Sequence, residues 1–342
     1  MKSRVVLRRF KGEFMKTVLV TGGAGFIGSA FVRRLLNKSD YRVVVADKLT
    51  YAANILSLEP FKKNKNFVLC QVDICDKRAI AKLFACEKPD MIVNFAAETH
   101  VDRSFKYPTL FTKTNVSGTQ VLLDCCKNFG VNRFHQVSTD EVYGGVLENE
   151  IIHKNYILST EQSPLNPTNP YSATKAAADI LALVYGKSYG LHVTVTRSTN
   201  NYGEWQNHEK LIPAVIKNAL SNKKVKVYGA GQDVRDWLYV DDNCAAIELV
   251  LKFGKSGDIY NVSGKNRIKN LDLVKTVLRL LGKNESLIKF VPGRVSNDFC
   301  YMIDDEKISR ELNFAPQTDF AAGLKKTVNW YKNYLGVSKK ND

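Results

Sequence analysis

The stretch Gly22-Gly23-Ala24-Gly25-Phe26-Ile27-Gly28 constrains the fold more than any other part of this sequence. It follows a short apolar run, Thr17 to Thr21, with the character of a strand, and leads into Ser29 to Leu36, which reads as a helix. Glycines at 22, 25 and 28 permit a tight turn, close approach of backbone to a pyrophosphate, and close packing of helix on strand. Three glycines alone are a weak signal, but strand, glycines and helix in this order point to a dinucleotide site. Arg42 to Ala46 reads as a second strand ending at Asp47, where an acid can accept a hydrogen bond from a ribose 2′-hydroxyl. Asp47 therefore favours NAD over NADP, and Lys48 beside it weakens that preference slightly.

Further strands are expected at Phe67 to Val72, closed by Asp73-Ile74, and at Met91 to Phe95, followed by the small residues Ala96-Ala97. Two more are expected at Phe134 to Val137 and His192 to Arg197, with a long helix from Leu110 to Asn128. Alternating strands and helices predict an α/β fold, a doubly wound parallel sheet of Rossmann type. After residue 200 the pattern turns irregular. A loop at Glu204 to Ile212 precedes a short helix, Pro213 to Leu220, and the strand Val225-Lys226-Val227-Tyr228. Helices follow through Leu251, from Leu271 to Leu281, and from Phe320 to Tyr334. We expect residues 1–14 to be a disordered extension or the product of an upstream start, and residues 15–198 to form the NAD-binding domain, with a returning segment at about 233–263. Residues 199–232 and 264–338 are expected to form a smaller C-terminal α/β substrate-binding domain across the open end of the sheet.

Two motifs carry candidate chemistry. Ser138-Thr139-Asp140-Glu141 places a hydroxyl and two adjacent carboxyls just after a strand, and Tyr171 and Lys175 stand four residues apart, on one face of a helix. A cation beside a phenol favours the phenolate, lowering its pKa toward working pH. Such a phenol can take a proton from a sugar hydroxyl while a nicotinamide takes the hydride, and the carboxyls add a general base and a general acid.

Composition excludes several classes. No apolar run approaches the ~20 residues of a membrane span. The seven cysteines lack metal-ligand spacing, as do the five histidines, so we expect no metal and a reducing, cytoplasmic setting. The net charge of +16 is scattered rather than concentrated with stacking aromatics, which argues against a nucleic-acid partner and suits an anionic small molecule.

From Met15 to Tyr334 the chain resembles the extended short-chain dehydrogenase/reductases that act on nucleotide sugars, and among them the 4,6-dehydratases. The resemblance rests on Val20 to Ser29, Asp47-Lys48-Leu49-Thr50-Tyr51, Glu98 to Ser104, Ser138 to Gly144, Pro170 to Lys175, Asn200-Asn201-Tyr202-Gly203, Glu209 to Pro213 and Arg235 to Val240. It implies that dTDP-glucose or UDP-glucose is converted to its 4-keto-6-deoxy derivative with a recycled NAD. Tyr171, assisted by Lys175, would deprotonate the 4-hydroxyl, with Thr139 hydrogen-bonding the 4-oxygen. Glu141 would then take the C5 proton, and Asp140 would protonate the leaving 6-hydroxyl. Asp47, Lys48 and Thr50 fall to the adenosine, Asp73 and Ile74 to the adenine, and Ala96, Ala97, Thr114 and Asn201 to the rest of the cofactor groove. Thr99, Asn200, Lys210, Leu211, Lys226, Tyr228, Arg235, Asn270, Arg294 and Asn297 fall to the substrate, for which arginine offers a fork of donors. Asn297 stands where many bacterial members carry histidine, which leaves thymidine against uridine open. The resemblance also implies a homodimer joined by a four-helix bundle of the helices around 110–128 and 171–188. An epimerase or decarboxylase of the same fold, and a non-enzymatic NAD-binding regulator, are the competing readings.

Overall fold

The computed structural model describes residues 15–38, 40–146, 158–293 and 298–338. The expectation for residues 1–14, and the assignments of Arg294 and Asn297, lie outside the described residues. Seven parallel strands form the main sheet: β1 (Lys16–Thr21), β2 (Tyr41–Asp47), β3 (Phe67–Gln71), β4 (Met91–Asn94), β5 (Arg133–Thr139), β6 (His192–Ser198) and a late strand, Ile259–Val262, that docks beside β6. Across the sheet the late strand is followed by β6, β5, β4, β1, β2 and β3, so the chain winds outward in both directions from β1 and β4. A crevice opens at the carboxyl ends of these two strands, where such sheets bind ligands.

β1, β2 and β4 are largely apolar because helices cover both faces, whereas β5 and β6 bury polar side chains that pair with one another, as His135 does with Thr194 and Thr196. On one face Val18, Val20, Val43 and Val45 pack with Phe31, Val32 and Leu35 of α1 (Phe26–Lys38) and with Ile247 and Leu251 of a helix at Val240–Phe253. On the other, Leu19, Val44, Ile92 and Phe134 pack with Phe84 of α2 (Lys77–Glu87), Leu122 and Leu123 of Thr119–Phe129, and Ala182 of Pro170–Tyr189. Neighbouring residues of one strand divide between the two cores, as the two-residue period of a strand requires.

The long helix expected from Leu110 to Asn128 is interrupted. It follows α3 (Val101–Lys106) as α4 (Pro108–Phe111), passes through a wider π turn at Thr112–Gly118, and resumes as α5 (Thr119–Phe129). Gly118 sits against Ile74, whose Cδ1 a Cβ would meet at 2.5 Å. Such π turns recur at functional sites.

A second core joins α7 (Leu211–Leu220) to α9 (Asn270–Leu280) and α11 (Phe320–Ser338), after α6 (Pro170–Tyr189), α8 (Val240–Phe253) and α10 (Glu306–Leu312) in chain order. It also holds two small sheets. One contains β7 (Asn200–Tyr202), β9 (Val234–Tyr239) and β11 (Arg267–Lys269), and the other contains β8 (Val225–Tyr228) and β12 (Ile288–Val291). The strand beside β6 is thus β10. Of the stretch expected to return to the main sheet, α8 and β10 do so, but β9 pairs with β7 and β11 because Trp237 and Tyr239 bury into the second core with Tyr202. No described helix is long and apolar enough to cross a membrane.

Candidate active site

Every residue assigned above to the cofactor lines one cavity of about 310 Å³ at the crevice. That volume falls in the ~300–1,000 Å³ range of small-molecule sites. Its floor is the glycine turn. Gly22 takes φ +65°, which favours glycine, and its N–H donates to the Ala46 carbonyl at 2.8 Å. A Cβ there would meet the Ala96 nitrogen at 2.7 Å, and one at Gly28 would meet the Gly22 oxygen at 2.3 Å. The cradle therefore admits no side chain, and the N-terminus of α1 opens onto the cavity with free N–H groups suited to a diphosphate.

Asp47, at the end of β2, is clamped by two backbone donors: Ala24 N–H to Oδ2 at 2.9 Å and Leu49 N–H to Oδ1 at 2.8 Å. Burial raises its pKa, and these two N–H groups pull against that rise. Lys48 does not reach toward Asp47. Its Nζ lies 2.7 Å from Asp73 Oδ2, so the cation that could have welcomed a 2′-phosphate is held by another acid of the cavity wall. Glycine cradle, clamped acid and diverted lysine fit NAD.

The candidate catalytic residues Thr139, Asp140, Glu141, Tyr171 and Lys175 all line this same cavity. β5 stops at Thr139, whose hydroxyl accepts from Glu141 N–H at 3.3 Å and caps a tight turn, Asp140–Tyr143. Asn169 and Ser172 form a reciprocal cap that starts α6 beside Pro170, which sets Tyr171 in its first turn. Lys175, one turn on, donates to the Val137 carbonyl at 2.6 Å and is buried.

Electrostatics separates the two carboxyls. Burial drives Asp140 well above the carboxylate range, and the Glu141 and Asp236 charges push it further, while the Thr139 hydroxyl 3.2 Å from Oδ1 opposes the rise. Burial also raises Glu141, and Lys210, Arg235 and a hydrogen bond from Asn169 reduce that rise without cancelling it. Asp140 is the better proton donor and Glu141 the better base. The expectation for Tyr171 needs correction. In this chain its pKa is raised, not lowered, because burial and the neighbouring Glu141 and Asp140 charges disfavour the phenolate. Lys175, itself lowered by burial, does not overcome them.

Among the residues expected at the substrate, Thr99, Thr139, Asn200 and Lys210 line the cavity, and Lys210 Nζ donates to the Thr99 carbonyl at 3.2 Å. Leu211 does not line it, although it begins α7 next to Lys210. Arg235 does not reach the wall either: its guanidinium donates to the carbonyls of Val234, Asp298 and Phe299 at 2.8–3.0 Å and lies over the Tyr301 ring. It acts on Asp140 and Glu141 through its field. Lys226 and Tyr228 face outward from β8 because the strand's alternation turns Val225 and Val227 into the core. Asn270 opens α9 away from the cavity, its Oδ1 buried without a hydrogen-bond partner among the described residues.

Sequence reasoning gave Asn115 no role. From the π turn its side chain accepts from Glu98 N–H at 2.8 Å and donates to Thr174 of α6 at 2.9 Å, tying the cofactor groove to the tyrosine helix. Glu98, Ser198, Gln206 and Glu209 also line the cavity unforeseen. Position at or shortly after a strand end was the available signal for Ser198 and Glu98.

A parallel sheet with a glycine turn, an acidic β2 end and a Tyr/Lys helix defines an extended short-chain dehydrogenase/reductase. Within that class the chain belongs to the GDP-mannose 4,6 dehydratase family, which it matches over residues 19–327. It is 43% identical to a dTDP-glucose 4,6-dehydratase of Escherichia coli, covering 92% of this chain and 93% of that one. A dTDP-glucose 4,6-dehydratase from Streptomyces venezuelae, solved with NAD bound, superposes with a TM-score of 0.89 at 43% identity over 94% of this chain and 98% of its own. A UDP-glucose 4-epimerase from Thermotoga maritima reaches 0.85 at 28% identity over 93% and 99%.

Proposed function

We propose that this protein is an NAD-dependent hydro-lyase that converts a nucleoside-diphosphate glucose to the 4-keto-6-deoxy sugar. The observation that carries the reading is the placement of Asp140 and Glu141, in fields that separate their protonation, on the same cavity wall as Tyr171. An epimerase needs the phenol and the dinucleotide but has no use for an acid and a base of this kind.

NAD⁺, held by the glycine turn, Asp47 and the Ala96-Ala97 wall, would supply a hydride acceptor at C4 and later a hydride donor at C6. Tyr171 takes the proton of the 4-hydroxyl, with Thr139 on the 4-oxygen. The ketone acidifies C5, and Glu141 removes that proton. Asp140 gives its proton to the 6-hydroxyl, and water leaves. The raised phenol sets a condition on the first step. Positive charge must come near Tyr171 before its proton moves, and a cationic nicotinamide ring is the group suited to bring it. Lys210 beside Thr99 and Asn200 is the cavity-lining cation placed to meet the diphosphate.

Two finer readings accompany this one. The stripe Ala173, Ala177, Ile180 and Val184 runs along α6 at helical spacing, with Ile180 52% and Val184 48% exposed, which supports a dimer in which α5 and α6 pair with their copies. All seven cysteines are unpaired, which suits the cytoplasm.

The test is incubation of the purified protein with dTDP-glucose and with UDP-glucose, without added NAD, following the alkaline absorbance of a keto sugar. A keto product from either supports the reading, and the faster substrate identifies the base. A C4 epimer without keto product would put the protein with the epimerases.

A further inference from the structure

Behind the Tyr171–Lys175 pair lies a buried charged group that the mechanism above does not use. Asp179 follows Lys175 by one turn of α6, as Lys175 follows Tyr171, so the three form one stripe. Asp179 is fully buried. Its Oδ2 accepts from Ser138 Oγ at 2.8 Å and from Arg197 Nε at 3.0 Å, and Arg197, from β6, is 2% exposed. Ser138 and Arg197 are register partners across β5 and β6, so the sheet itself fixes the two donors. The other oxygen, Oδ1, has no hydrogen-bond partner among the described residues. The Arg197 guanidinium also lies 4.8 Å from the Tyr143 ring centroid, and Tyr143 donates to Asn261.

A buried ion pair is a poor means of gaining stability, because desolvation offsets most of the attraction. A carboxylate retained here with one oxygen unbonded calls for another role, and the charge nearest along the stripe is Lys175. That ammonium is buried too, with the neutral Val137 carbonyl as its hydrogen-bond acceptor. Burial works against its charge and lowers its pKa, and the field of Asp179 opposes that fall. Asp140 and Glu141 from the end of β5 act on Tyr171, and Asp179 adds a smaller push on the phenol in the same upward direction, apart from its action through Lys175.

Building on the function proposed above, we propose that Asp179 is a positioning residue: its carboxylate, fixed by Ser138 and Arg197, keeps Lys175 protonated beside Tyr171. Burial raises the Asp179 pKa, and Arg197, Lys175 and the Ser138 hydroxyl oppose that rise. Removing the charge at 179 would leave a buried lysine without its anion, which favours the neutral amine. Lys175 could then no longer support the phenol as pH rises.

The experiment compares the full-length, NAD-loaded protein with Asp179→Asn and Asp179→Glu. One readout is the pKa of Lys175, measured by trace acetylation across pH and mass spectrometry. This needs no substrate, so it judges Asp179 even if the keto product never forms. The second is the pH profile of the first oxidation, read in single turnover as reduced nicotinamide, which does not need the proton of Asp140. In Asp179→Asn the Lys175 pKa and the alkaline limb of oxidation should both fall by about one unit or more, with oxidation at pH 8 about tenfold slower or worse, and Asp179→Glu should recover both. If Asp179→Asn does not accumulate folded, Asp179→Asn/Arg197→Gln removes the uncompensated guanidinium and carries the same prediction. Folded variants that lose melting temperature while Lys175 and the limb stay at their wild-type values would overturn the proposal and leave Asp179 a purely structural residue.

Discussion

Lys48 Nζ stands 2.7 Å from Asp73 Oδ2, while Asp47, its neighbour in sequence, turns both carboxylate oxygens to backbone N–H groups. Two adjacent residues at the end of β2 are thereby sent in different directions. The acid is held on the cavity wall by the backbone, and the base is tied to Asp73. Asp47→Ala should raise the Kd for NAD by about tenfold or more, the scale of a hydrogen bond to a charged group, and should narrow the preference against NADP. Calorimetric titration of the cofactor-stripped variant with both dinucleotides checks this.

Asp140 and Glu141 should fail at different points from Tyr171. Asp140→Asn and Glu141→Gln should lower turnover by about 10²–10⁴-fold, the usual worth of a positioned acid or base, yet still oxidise C4. Reduced nicotinamide should therefore accumulate on the protein when substrate is added. Tyr171→Phe should form none. Stopped-flow absorbance separates the three variants.

Glu248 of α8 receives Arg34, Lys38 and Lys252 at 2.6–2.7 Å and ties α1 to α8 on one face of the main sheet. These cations hold its pKa down to about 2 against an ordinary 4.5, overcoming the upward push of burial. Because the folded value is depressed, its contribution is present above pH 4.5 and is lost as pH falls toward 2. After discounting the solvent exposure of its partners, Glu248→Gln should cost about 2 kcal/mol at pH 7, with the difference from wild type shrinking below pH 4. Denaturant melts across that range measure it.

Ile180 and Val184 sit one turn apart on the exposed side of α6. Ile180→Glu/Val184→Glu should yield a monomer, since burying two carboxylates in a helix-to-helix seam is unfavourable, while the isolated chain keeps its fold. Sedimentation velocity distinguishes the species. A wild-type monomer would remove the dimer from the account.

Sequence carried the large sheet well because its signals are local. A glycine turn must lie between a strand and a helix, and strands covered on both faces read as unbroken apolar runs, as Val43-Val44-Val45 does. The meeting of the candidate catalytic residues on one cavity wall was legible for the same reason, since Thr139 ends a strand, Asp140 and Glu141 open the turn after it, and Tyr171 and Lys175 share one helix face. What depended on distant partners was not legible. Arg235 reads as a diphosphate donor until the carbonyls of Asp298 and Phe299 claim its guanidinium. Lys226 and Tyr228 read as substrate contacts until the second core claims the other side of β8. The four-residue spacing suggested a lowered phenol, but the field of Asp140 and Glu141 on Tyr171 comes from the turn after β5, about thirty residues earlier in the chain.

The central claim is that one pocket oxidises C4 and reduces C6 of the same sugar. Substrate carrying deuterium at C4, turned over without added NAD, tests it by mass spectrometry and NMR of the product. The account predicts a 4-keto-6-deoxy sugar with that deuterium at C6 and a solvent-derived hydrogen at C5. Deuterium retained at C4, or washed out into water, would contradict it.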